Sequence, residues 1–152
     1  MLKPTLFLRI AAGVTLIHAV LHTIGGVFGD LGPGAAATAV QAMKMNQFPL
    51  LGNARSYWDF YRGFGLAVSI FLTVEGVIFW QLGSLAKTDA RRLRPILAAF
   101  LVGYAALTVN SYAYFFVGPV AAEIAIVACL GLAIVTSKAE VQAAESAGRA
   151  NF

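Results

Sequence analysis

The sequence predicts an all-α integral membrane protein: a bundle of four transmembrane helices with both ends in the cytoplasm. Three observations carry that expectation: four long apolar stretches, a shortage of charge, and an uneven spread of Lys and Arg. Of 152 residues, 59% are hydrophobic and 12% charged, about half the charged share of a soluble domain. Mean hydropathy is +0.77. A chain so poor in charge cannot cover a water-facing surface, so its exterior is expected to meet lipid.

A bilayer core about 30 Å thick takes about 20 apolar residues in a helix. The stretches that meet or approach this run from Leu6 to Val27, Tyr57 to Leu82, Pro95 to Phe116 and Pro119 to Val135. Lys3 ahead of the first run and Arg9 in its first turn, with Ala35-Ala36-Ala37 beyond it, imitate a secretory leader. Its length and its two histidines place it instead as a retained helix. Short flanks rich in Lys and Arg stay in the cytoplasm. Lys3, Arg9, Lys87, Arg91, Arg92, Arg94, Lys138 and Arg149 fall on one side, against Lys44, Arg55 and Arg62 on the other. Both termini are therefore expected inside a bacterial plasma membrane, with the polar tail 138–152 continuing as a helix that frays.

The one long connection, 28–56, lies on the outer side and is expected to carry a short helix over Ala35 to Met45, with Asp30 as cap and Pro33 in the first turn. Aromatic belts fit this frame: Tyr57, Trp58 and Tyr61 at one end of the second helix, Trp80 at the other, and Tyr112, Tyr114, Phe115 and Phe116 at the outer end of the third. The net charge of +4 comes from residues at membrane boundaries rather than on an aromatic-studded face, which argues against nucleic acid as a partner. A single cysteine, Cys129, leaves no disulfide framework or CxxC motif.

Polar and ionisable residues inside a bilayer are costly and each needs a reason. In this sequence they gather in the outer half: His18 and His22 on the first helix, Asp59 and Arg62 on the second, Asn110 and Tyr114 on the third, Glu123 on the fourth. His18 and His22, four apart, share a helical face. With Asp59 and Glu123 they form a set able to hold zinc, manganese or iron. The favoured reading is structural, with both histidines donating hydrogen bonds to Asp59, Glu123, Asn110 or carbonyls. One haem with both axial ligands from this pair is excluded, because rings on one face cannot reach opposite sides of an iron; a single haem ligand is not. Ser56-x-x-Asp59 reads as a capping box. Asp59, Arg62, Leu66, Ser69, Thr73, Gly76 and Trp80 form a polar and small stripe facing the bundle, with Arg62 by default in a structural ion pair, to Asp59 one turn away or to Glu123 across the bundle, and snorkelling to lipid phosphate as the alternative. Gly103, Leu107, Asn110 and Tyr114 form the matching face of the third helix, and Glu75 points away from the site.

Leu8-Arg9-Ile10, His18-Ala-Val-Leu-His22-Thr-Ile-Gly-Gly26, Tyr57-Trp-Asp-Phe-Tyr-Arg62-Gly-Phe-Gly65 and Tyr114-Phe-Phe-Val-Gly-Pro119 together resemble a group of small bacterial four-helix integral membrane proteins. That resemblance spans nearly the whole chain and implies four helices without an activity. The glycine and histidine pattern of the first helix is faintly similar to DoxX-like proteins. Val74-Glu75-Gly76 is faintly similar to the sterol isomerase and sigma-2 receptor group, in which buried carboxylates bind ligand or move protons. The histidine one turn before the glutamate in that group is Phe71 in this sequence, so no catalytic residue is carried over.

The functional expectation is a pocket in the outer half, lined by His18, His22, Asp59, Arg62, Asn110, Tyr114 and Glu123. It would take a quinone, an isoprenoid, a lipid or a metal ion, with a histidine as proton donor or acceptor if there is chemistry. The alternative is a non-catalytic subunit of a larger membrane complex or homo-oligomer, its polar residues setting helix register. No motif in the sequence specifies a reaction.

Overall fold

A computed structural model describes residues 3–30 and 32–149, with side chains as far as Ser137. In chain order it has α1 Pro4–Leu21, a π-helical turn His22–Val27 continuing from it, α2 Ala35–Met45, β1 Gln47–Leu50, β2 Asn53–Ser56, α3 Tyr57–Tyr114 and α4 Val117–Arg149. Pro4–Val27, Tyr57–Tyr114 and Val117–Ser137 are long and apolar enough to cross a membrane.

The two helices expected over 57–82 and 95–116 are the two arms of α3, each longer than expected and separated by a kink rather than by a connection. Helix continues through 83–94 and is interrupted at one residue, Asp89, with φ −149° and ψ 71°. The reason is local. Leu85, Ala86, Lys87, Ala90, Arg91 and Arg92 are good helix formers, and the Asp89 carboxylate accepts the Arg92 amide at 3.3 Å, capping a new start inside what read as a connection. Pro95 therefore lies within the second arm, where it leaves the Arg91 carbonyl without its helical donor. A straight helix of 58 residues would run about 87 Å, close to three bilayer cores, so the Asp89 break divides α3 into two arms, 57–88 and 90–114.

The short helix appears where expected, at Ala35–Met45, with a different cap. Gly34 is its N-cap, while the Asp30 carboxylate closes a local turn by accepting the Gly32 amide at 3.0 Å. The β1–β2 hairpin was not anticipated. It pairs Gln47 with Ser56 through Leu50 with Asn53 around Leu51 and Gly52, both at positive φ (48° and 83°), the backbone a two-residue hairpin turn requires. The tail expected after 138 is helical to Arg149.

The chain divides into two compact units, Met1–His18 with Thr73–Phe152, and Ala19–Leu72. In the first, α1, both arms of α3 and α4 contribute to one buried cluster that includes Leu8, Phe79, Leu97, Tyr104, Ile126 and Leu130. Phe79 meets Phe100 edge-on at 4.9 Å and Tyr104 at 5.9 Å. The buried positions follow helical spacing: Leu93, Leu97, Tyr104 and Ser111 on the second arm, Ile126, Leu130, Ala133 and Ser137 on α4.

Candidate functional site

The polar features of Ala19–Leu72 are built around the π turn. Its wide ring is closed by the Phe28 amide, which donates to the Thr23 carbonyl five residues back at 3.1 Å. Such turns re-aim side chains and leave carbonyls open to other donors. α3 supplies those donors and acceptors from one stripe, at Tyr61, Gly65 and Ser69. The Tyr61 hydroxyl donates to the Gly26 carbonyl at 3.2 Å, and His22 Nε2 donates to the Gly65 carbonyl at 3.1 Å. Thr23 Oγ1 is 2.7 Å from the Ala19 carbonyl and 2.8 Å from Ser69 Oγ, which is itself 3.2 Å from the Gly65 carbonyl. A Cβ on residue 65 would fall 2.9 Å from Val27 Cγ2, so glycine at 65 allows the close approach that makes these bonds.

Beside this turn an open cleft of about 450 Å³ lies between α2 and the start of α3. Val27, Phe28 and Val40 give it apolar walls; Asp30, Gln41, Lys44, Trp58 and Arg62 give it polar and aromatic ones. Both cations rest on rings: Lys44 Nζ is 4.8 Å from the Trp58 ring centre, and the Arg62 guanidinium 4.8 Å from that of Phe28. Ring faces attract cations without neutralising them, so each keeps its charge and N–H donors for a ligand. The expected Arg62–Asp59 ion pair is not formed. The Asp59 carboxylate instead accepts the Ser56 amide at 2.8 Å and the Ser56 hydroxyl at 2.9 Å, the capping box legible in the sequence.

The remaining expected site residues lie in the other unit. His18 is half-buried on α1. Glu123 is 5% exposed and accepts the Ser111 hydroxyl at 2.8 Å. Asn110 and Tyr114 are exposed, as are Gly103 and Leu107; the expected face of the third helix was one residue out of phase, and Ser111 occupies the inward position assigned to Asn110. Glu75, read as pointing away, is engaged within this unit: the Tyr104 hydroxyl donates to it at 2.6 Å. Sequence reasoning missed Tyr104 and Ser111, and it met Lys44, Trp58 and Phe28 only as boundary charge, belt aromatic and loop residue. The signal for Tyr104 and Ser111 was available in the 93-97-104-111 spacing.

Among the described residues no three His, Cys, Asp or Glu side chains gather as a metal-holding group. His22 Nε2 and one Asp59 oxygen are already bonded within the fold. No known protein family, curated protein or solved structure matches this chain.

Proposed function

We propose that this chain is a four-helix integral membrane protein of the bacterial plasma membrane, both termini cytoplasmic, that binds an amphiphile with an anionic head group, an isoprenoid or lipid phosphate, in the cleft of Ala19–Leu72. The observation that carries the reading is the pairing of two ring-seated cations, Lys44 and Arg62, with an apolar wall of Val27, Phe28 and Val40 in one cleft. The cations suit a phosphate, Arg62 through its planar fork and Lys44 as a point charge. The apolar wall suits the first carbons of a chain whose remainder stays in lipid. The Lys and Arg distribution supports an outer-face position for the cleft, whose lining includes Ala37, Val40, Gln41 and Lys44 of α2. His22 acts in this reading as a positioning residue: its bond to the Gly65 carbonyl holds the π turn against α3, and so fixes Val27 and Phe28.

The test uses farnesyl phosphate and farnesol as probes of the purified protein carrying Trp80→Phe, which leaves Trp58 as the sole tryptophan. Farnesyl phosphate should change Trp58 emission saturably and farnesol should not. Replacing both Lys44 and Arg62 with Ala should weaken the response on the order of tenfold to a hundredfold, two charge-assisted contacts being lost. Equal responses to the two probes, or an unchanged response in the double variant, would defeat the proposal.

A further inference from the structure

A third cation is seated with equal care in the other unit, where the amphiphile reading has no use for it. Arg9 of α1 crosses the first arm of α3 at Trp80, Gly83 and Ser84, three positions on one helical face. Its guanidinium carbon lies 3.5 Å from the Trp80 ring centre, and Nη2 donates to Ser84 Oγ at 2.8 Å. A Cβ on residue 83 would come 3.3 Å from Arg9 Nε and 3.4 Å from Leu8 Cβ, so glycine there leaves room for the side chain to lie flat.

This seat is one acceptor short. Arg9 Nη1 is enclosed and has no hydrogen-bond partner, and among the described residues no carboxylate stands within ion-pair distance of Arg9. A guanidinium has five N–H donors and no acceptor, and a desolvated one without a counter-charge is costly. The second arm brings another. Tyr104 bonds Glu75 and Phe100 packs on Phe79; four residues back along one arm match four forward along the other, as in an antiparallel pair. The same register carried past Phe79 brings Arg94 level with Ser84 and Leu85. Arg94 Nε is likewise enclosed without an acceptor.

The geometry points to an oxyanion site at this end of the unit: a phosphate group entering beside the exposed Ser84, bridging its hydroxyl and the Arg9 guanidinium, with Arg94 as the second donor. The shared chemistry is a phosphate oxygen, carried either by a phospholipid head group or by free phosphate. A small rotation of the Arg9 side chain frees Nη1 for a second bond, giving the two-pronged contact that arginine makes with phosphate.

Trp80 lies under Arg9 and reports on it. In protein carrying Trp58→Phe, its emission is followed while dioleoylphosphatidylglycerol is titrated into dodecylmaltoside micelles, with dioleoylphosphatidylcholine and sodium phosphate as parallel titrants. Saturable change with phosphatidylglycerol alone assigns the site to an anionic lipid; change with sodium phosphate as well assigns it to free phosphate. In either case Arg9→Gln and Arg94→Gln should each raise the half-saturation point on the order of tenfold, with Arg9→Lys between parent and Arg9→Gln because the charge stays and the fork is lost. Circular dichroism and gel filtration confirm that each variant is folded, and Arg9→Lys keeps the test decisive if Arg9→Gln does not fold. The proposal is overturned if no titrant changes Trp80 emission, if phosphatidylcholine acts as phosphatidylglycerol does, or if the folded Arg9 variants respond as the parent.

Discussion

Leu8, Phe79, Leu97, Ile126 and Leu130 are each at most 1% exposed in the unit Met1–His18 with Thr73–Phe152. Ala19–Leu72 buries only small or single apolar side chains among its described residues: Ala19, Val27 and Leu72. The first unit is held chiefly by packing, with a few hydrogen bonds and the Arg9–Trp80 contact beside it. The second is held by hydrogen bonds between a π turn and one stripe of α3, by a two-stranded hairpin, and by cations on rings. Packing in a core is dense and intolerant of change, while hydrogen bonds between membrane helices contribute little each. The difference teaches where binding can be accommodated. A region of low local stability can open for a ligand, and a close-packed one cannot do so without loss.

The contrast can be broken most easily at the packed end. Phe79→Ala removes a ring in contact with both Phe100 and Tyr104 and should cost about 3–5 kcal/mol, measured by denaturant unfolding of the detergent-solubilised protein. A cost below about 1 kcal/mol would mean that the cluster does not dominate stability. Next comes Tyr104→Phe, which leaves the Glu75 carboxyl without its 2.6 Å donor and should cost about 1–3 kcal/mol in the same assay. If Glu75→Gln in the Tyr104→Phe background restores nothing and the single variant is neutral, the bond is incidental. The smallest effect belongs to the hydrogen-bonded unit: Thr23→Val should cost about 0.6 kcal/mol, seen as faster amide exchange over 22–28 with no change over 97–104. Exchange that quickens in both segments alike would erase the distinction between the two units.

The long apolar stretches, the short helix at Ala35–Met45 and the Ser56–Asp59 cap were legible because each depends on hydrophobicity or on a contact three or four residues away. The π turn was not, since it differs from an α turn by one residue and its stabilising partners, Tyr61, Gly65 and Ser69, lie far along the chain. The hairpin was hidden because its turn carries Leu51 where Asn or Asp would have announced positive φ. The basic run Lys87 to Arg94 read as a connection because charge marks membrane boundaries, yet charge does not prevent helix, and Asp89 capped a new one. At the site, Arg62 and His22 were visible as ionisable residues in an apolar setting. Their partners were not, because a cation on Phe28 and a bond to the Gly65 carbonyl leave no polar mark in the sequence. Asn110 drew attention as the strongest hydrogen-bonding side chain on its helix, although the apolar spacing of Leu93, Leu97 and Tyr104 favoured Ser111 as the inward residue.

The π turn at His22–Val27 also acts as a phase shifter. Each residue of an α-helix advances the chain about 100° around its axis, and a π turn absorbs one residue more than its α counterpart. An ordinary α-helix over the same residues would have no place for that extra one and would pass it on, with every later position rotated by about that angle. Val27 would leave the notch at Gly65, and Phe28 would swing from under Arg62. A substitution that converted the turn to α-helix would therefore spare length and charge while dismantling the cleft, a failure that inspection of composition alone would pass as harmless.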